Sequence, residues 1–567
     1  MVEIGADLIL VGGRVWEGGA AAGGYRIAEG GAAAGGYRIA EGVAVAGERI
    51  LAVGGRDQVM SYRGRGTEVV DLKGRTVLPG LIDSHCHIVG LGLARTGIDL
   101  NYPRARSIAD VCRLVAERAA AQPPGTWIRG RGYDHLRLEE RRHPTRWDLD
   151  PVSGDHPVVL VRSCGHISVA NSEALRRAGI TRETPDPPGG AIERRDGEPT
   201  GVLKEAAQGL VHGVAPHTRA ELEEALRQAA REYLSLGVTA VHDMSGGDPE
   251  GPAVIQDLAR GGGLGIRISF SLISAPPSGG RPAAGDAALS TGLHTGLGDH
   301  WVKLGPAKVV LDGSDDGATA LMYRPYRDGS GTGIGYWQDE ELLAWAREAA
   351  RWGWQLSLHA IGDRAIDQAL HAIAEARRGG RGEGWWRPRI EHFIYPSPEA
   401  VATAAALGVV PVVNPIFLSM VDRGYLELID EETLARGFPI RSLLDAGLTV
   451  AAGSDAPVAD ANPLAGMACA VDRSTAAGDP FRPGEAVSLA EALDMYTRAG
   501  AVAAGWGDDL GVIAPGRLAD LVVLDGGLAV PKYGRLTATD GGPVLARLLR
   551  EMRVTMTVVG GQVRFHV

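Results

Sequence analysis

Residues 76–87 read TVLPGLIDSHCH, an apolar run that ends on Asp83-Ser84-His85-Cys86-His87. On a β-strand, side chains two apart share a face. His85 and His87 therefore project together from the C-terminal end of such a strand. Two imidazoles so placed form either a clamp for a metal ion or an incidental polar pair. The segments that follow decide which, and they also decide the fold.

From about Leu81 to Asp455, strand-like runs alternate with amphipathic helical ones. Eight strand candidates stand out: LIDSHCH (81–87), GVTAVHDM (237–244), IRISFSLI (266–273), AKVVLDG (307–313), QLSLHA (355–360), RIEHF (389–393), VVPVVNP (409–415) and LTVAAGSD (448–455). Repeated β/α units make a parallel sheet, and eight strands close a (β/α)8 barrel. An open doubly wound sheet is the alternative, but no GxGxxG follows the first strand. Short Gly-punctuated strands lie at both ends of the chain, as in DLILVGGRVW (7–16), EGVAVAGERILAVGG (41–55), LADLVVLD (518–525) and VTMTVVGGQVRFHV (554–567). Neither set makes a sheet alone, so the two are expected to form one composite β-sandwich. The expected organisation is an α/β fold: 1–78 as the first part of the sandwich, 79–505 as the barrel, and 506–567 as the rest of the sandwich. Far more chain separates the first two barrel strands than one helix needs, and 101–232 reads as an insertion over the barrel mouth. The sequence GAAAGGYRIAEG occurs at Gly19–Gly30 and again at Gly31–Gly42. It reads as a duplicated surface loop, where added length costs little.

The chain has 567 residues, 45% hydrophobic and 22% charged, with a net charge of -11. That balance opposes a general nucleic-acid or anionic-membrane binder. The four Cys form no CxxC pair, against both a disulfide framework and a cysteine-rich zinc module. The N-terminus has no secretory pattern, and no apolar run approaches about 20 residues. A soluble cytoplasmic protein is expected, with a small-molecule substrate and, at most, a second copy of itself as partner.

Three later strand candidates also end on metal-binding side chains: His359, His392 and Asp455. Four His and one Asp at the strand ends of one barrel point to a divalent ion, with zinc the best match to imidazole and carboxylate. Of the 58 basic residues only five are Lys: 73, 204, 303, 308 and 532. Lys308, Val310 and Asp312 share one face of the fourth candidate strand. An ammonium cannot ligate a cation, but a lysine carboxylated by CO2 can, and Arg cannot take that role. The competing reading is a buried Lys308–Asp312 ion pair. Lys204 reads as a surface helix residue.

These motifs, in this order, resemble the amidohydrolase superfamily, and more narrowly its YtcJ-like family 3. The resemblance spans nearly the whole chain, including HPVVLVRSCGHISVANSEALRRAGI, GEPTGVLKEAA, LHAIGDRAIDQAL and LGVIAPGRLADLVVLD. It implies that His85 and His87 bind a first metal ion, that Lys308 is a fourth-strand ligand as N6-carboxylysine, and that His359 and His392 bind a second ion. It implies Asp455 as the eighth-strand acid/base. Cys164 stands where family members often carry an acid. The implied activity is hydrolysis of a non-peptide C–N bond (amide, formamide, urea, carbamate or cyclic amide). Ester, lactone or phosphoester hydrolysis on the same scaffold and a non-catalytic scaffold protein are the alternatives. Catalytic roles fall to Asp455 and His392. Tyr133, Asp134, His166, Asn171 and Asp312 are candidate substrate contacts, and Asn414 and Phe417 could face the pocket. Asp363 is a candidate acceptor that orients a ligand imidazole, or a helix cap.

Overall fold

The computed structural model describes residues 5–18, 39–245, 250–277, 284–379, 387–526 and 541–567. Most of the tandem repeat (19–38), Lys532 and the Trp385-Trp386 pair lie outside the described residues.

Eight parallel strands form the central sheet, in chain order: β1 (Leu81–Cys86), β2 (Val238–Asp243), β3 (Arg267–Ile273), β4 (Val302–Val310), β5 (Leu356–Ala360), β6 (Arg389–His392), β7 (Val410–Val413) and β8 (Ala451–Ala452). Each pairs with its sequence neighbour, as the (β/α)8 reading expects. The ring closes just beyond the strand ends. The Asp455 N–H donates to the His85 carbonyl at 2.7 Å and the His87 N–H to that of Ala456 at 2.8 Å. The seam of the barrel thus runs through the candidate metal ligands.

The two-residue alternation is visible along β5. Leu356, Leu358 and Ala360 join the apolar layer beneath the helices, leaving Ser357 and His359 for the interior. The helix Asp339–Trp352 shows the complementary helical pattern, burying Leu342, Trp345, Ala346, Ala349 and Ala350. It stops at Gly353, whose φ of 87° lies in the left-handed region that favours glycine.

Strands from both termini join in one eight-stranded sheet. The strand Ala6–Trp16 is its fork, pairing with Ile39–Ala46 on one side and with both Arg63–Asp71 and Thr76–Pro79 on the other. Leu521–Leu524 from the C-terminal part pairs with Thr76–Pro79. Along the fork strand Leu8 and Leu10 enter one apolar cluster, Ile9 and Val11 another, so both of its faces are covered.

The long segment after β1 builds its own six-stranded sheet, with strands from Ile98–Asp99 to Glu198–Glu205. The helix Arg219–Ser235 then packs on the helix Ile88–Thr96 and leads into β2. Lys204 lies on the strand Glu198–Glu205 and is partly buried, not on a surface helix. Antiparallel pairing with the strands Ile167–Ala170 and Gly190–Arg195 holds that segment extended.

The barrel and the terminal sheet are joined by a buried ion pair. Arg267 of β3 meets Asp520 through two bonds of 2.8 and 2.9 Å, with the guanidinium over the Trp301 ring. Removing one member strands a buried charge, whereas replacing both with apolar groups does not. Asp520→Ala should cost about 3–5 kcal/mol in denaturant unfolding. The double variant Arg267→Met/Asp520→Leu should lose clearly less. Equal losses would show that the pair does not hold this interface.

Candidate metal centre

His85, His87 and Asp455 form a group whose ligand atoms all lie within 4.8 Å of one another. Asp455 Oδ1 is 3.0 Å from His87 Nε2 and 3.4 Å from His85 Nε2. It is buried and receives no hydrogen bond among the described residues. The ligand atoms of the three groups thus converge on one point, an arrangement that a cation would satisfy.

His359 and His392 stand beside this group. The His392 ring lies 4.8 Å from that of His85 and 4.5 Å from that of His359. By strand alternation His392 shares the phase of Ile390, a core residue facing the helices, and so ought to point away from the mouth. Backbone φ values of 71° at His392 and 51° at Phe393 break the alternation and bring the ring inward. Asp455 has a φ of 60°. Such conformations are costly for residues with side chains and cluster at functional sites.

Three of the four imidazoles are held by a partner on one ring nitrogen. His85 Nδ1–H donates to Glu391 at 2.7 Å, and His392 Nδ1–H to Asn414 Oδ1 at 2.8 Å. His359 Nε2–H donates to the Gly313 carbonyl at 3.2 Å. These bonds fix tautomer and orientation, leaving the opposite nitrogen's lone pair free. Burial and the nearby Lys308 lower the pKa of His85 and push that of His359 well down. Burial and His359 do the same to His392. These shifts keep the three imidazoles in the neutral form. Burial alone would raise Asp455, but His87 and His85 outweigh it and hold the carboxyl well below the usual range. Lys308 is buried and pulled down to about 8 by desolvation, against the attraction of Glu391 and Asp455.

The remaining expected site residues divide. His166 and Asp134, from the insertion, line the cleft over the cluster, as do Phe417 and Cys164. His166 Nδ1–H donates to buried Glu205 at 2.7 Å. Asp312 makes no ion pair with Lys308. Its carboxylate accepts the N–H groups of Leu321, Ile361 and Gly362, and lies 3.4 Å from His359. It secures the β4 and β5 ends rather than lining the cleft. Asn171 is buried and caps the helix Ser172–Arg177, with its amide bonded to Ser153 and His156, so no group is left for a substrate. Tyr133 is wholly buried, its hydroxyl against His143. Asp363 orients no imidazole, being bound to the N–H groups of Tyr323 and Arg364 and to Arg436.

Sequence reasoning missed Glu391, Arg389 and Glu205. Arg389 and Glu391 are wholly buried and paired at 2.9 Å, and Glu391 also accepts from Ser357. Two opposite charges at alternate positions of RIEHF were the available signal. The cleft's apolar wall comprises Leu136, Ile361, Phe417, Met420, Val421 and Phe438.

A family model described as an amidohydrolase family matches residues 68–565. The N-substituted formamide deformylase of Arthrobacter pascens is 31% identical over 532 residues, covering 91% of this chain and 93% of that protein. Among solved structures, a metal-dependent hydrolase from Pyrococcus horikoshii aligns with a TM-score of 0.73 at 25% identity, covering 92% of this chain and 98% of the other. The zinc complex of atrazine chlorohydrolase TrzN from Arthrobacter aurescens aligns at 0.51 and 18% identity over 99% and 95% of the chains, a likeness of fold.

Glu391→Gln keeps the shape but removes the charge that raises the basicity of His85. Metal affinity measured by chelator competition should fall about 10–100-fold. An unchanged affinity would mean that Glu391 serves only to neutralise Arg389.

Proposed function

Because the chain belongs to the amidohydrolase family, we propose that it is a metal-dependent hydrolase of a non-peptide C–N bond, with N-substituted formamides as the leading substrate class. The observation that carries this reading is the convergence of the buried Asp455 Oδ1 with the Nε2 atoms of His87 and His85. The apolar wall of the cleft over the cluster suits a hydrophobic substituent on nitrogen. The deformylase likeness points to the same class.

His85, His87 and Asp455 would hold the ion. When bound, a divalent cation, zinc by this donor set, supplies Lewis acidity and brings the pKa of water to about 7. Asp455, held ionised, takes a proton from the attacking water and hands it to the leaving nitrogen. Against the lowering by burial, Glu205 raises the pKa of His166 to about 10, so with Nδ1–H committed to Glu205 the imidazolium keeps Nε2–H to donate to the substrate carbonyl oxygen. Carboxylation of Lys308 adds the amine nitrogen to CO2 with loss of a proton. The resulting anion beside His359 and His392 completes donors for a second ion.

Zinc-loaded protein should hydrolyse N-substituted formamides, and His85→Ala should lose both metal and turnover. Turnover that survives with metal intact would remove the first-strand ligand assignment. Less than about a tenth of an equivalent of metal after zinc-supplemented growth would sink the hydrolase reading. Lys308→Arg should lower metal content and activity while the melting midpoint stays within a few degrees. An unmodified Lys308 in the intact-protein mass, with full metal content, would leave a one-ion site.

A further inference from the structure

A second chamber lies beside the cleft, between the insertion's sheet and the segment that follows β4. It holds about 290 Å³, far more than the space above the metal cluster. Leu136 and Asp316 line both, as a shared wall. The strand register sets Ala191, Lys204 and Ile167 side by side on three adjacent strands, and all three line the chamber. Lys204 therefore faces this space.

Across from it stand His135 and His143, with rings stacked 3.9 Å apart. Arg162 Nε–H donates to His135 Nδ1 at 3.0 Å. A guanidinium cannot accept, so Nδ1 carries the lone pair and the ring proton sits on Nε2. Burial and Arg162 lower the His135 pKa to about 4, so the ring is a neutral donor.

The chamber's charges are unequal in their engagement. Asp316 is taken by Arg162 at 2.7 Å. Asp328 is exposed at the rim, and its Oδ1 accepts from the Ser330 N–H and hydroxyl. Lys204 has no ion pair among the described residues. It is also one of only five lysines in a chain that otherwise uses Arg. A half-buried ammonium facing a cavity large enough for several heavy atoms is a counter-ion awaiting an anion.

We propose that this chamber binds the carboxylate end of a small organic acid, with Lys204 as its counter-ion and His135 as a neutral donor. Resting on the hydrolase reading above, that carboxylate belongs to the substrate, across Leu136 and Asp316 from the scissile bond.

Glutarate is the probe, and glutaramide its uncharged isostere, titrated calorimetrically into full-length metal-loaded protein. Glutarate should bind and glutaramide should not. Lys204→Met should weaken glutarate binding about tenfold or more, as a charge-assisted bond is lost from a shielded site. Ala191→Phe, which fills the chamber without touching the charge, should do likewise and guards against a folding effect of the first variant. The titration repeated on chelator-stripped protein should give the same affinity. The proposal falls if wild-type protein ignores glutarate at about millimolar concentration. It falls equally if binding is indifferent to both substitutions, or disappears with the metal. Lys204-dependent binding in a protein that cleaves no C–N bond would keep the chamber and remove the hydrolase reading.

Discussion

The structure turns on the seam where β8 meets β1. There the Asp455 N–H closes the barrel on the His85 carbonyl, while the Asp455 carboxylate faces the imidazoles of His85 and His87. One residue thus completes the sheet and the candidate ligand set. The left-handed backbone at Asp455 is the cost of doing both, since a continued strand would keep pairing and carry the carboxylate away. The arrangement is rigid because it is part of the barrel's hydrogen bonding, as a site with demanding geometry requires.

Below the seam, the interior is filled with charge rather than with the branched apolar layers usual in such barrels. Arg389, Glu391 and Lys308 are buried, and Glu391 bonds both Arg389 and His85. Buried ion pairs seldom add stability over apolar packing. Their effect here is positional: the carboxylate fixes the His85 tautomer, and Lys308 helps keep His85 and His359 neutral. The insertion closes the site from above with His166 and Asp134, and its hidden face lines a second, roomier chamber.

Much of this was legible in the sequence where periodicity and side-chain chemistry agree. The period of two correctly sends His359 inward, because Leu358 and Ala360 take the outer layer. His392 was found as a strand-end His, although its phase is that of the outward Ile390, and the backbone turn that rescues it leaves no composition signal. Glu391 was overlooked for the same reason, since beside an inward His392 it would have been an outward residue. Asn171, Tyr133 and Asp363 stand in the right motifs but are absorbed by a helix cap, a contact with His143 and a bond to Arg436 respectively. Lys204 was misplaced because LKEAA has the composition of a helix, and only pairing on both sides keeps it extended.

The sequence by itself determined the eight strands, the composite terminal sheet and the metal-binding residue types, because strand alternation and ligand chemistry are local properties of the chain. Only the tertiary structure decided which nitrogen of each imidazole is free, that Asp312 serves the loops instead of Lys308, and that Lys204 faces a cavity. Those outcomes depend on partners separated by tens to hundreds of residues, whose distances and burial no local pattern encodes.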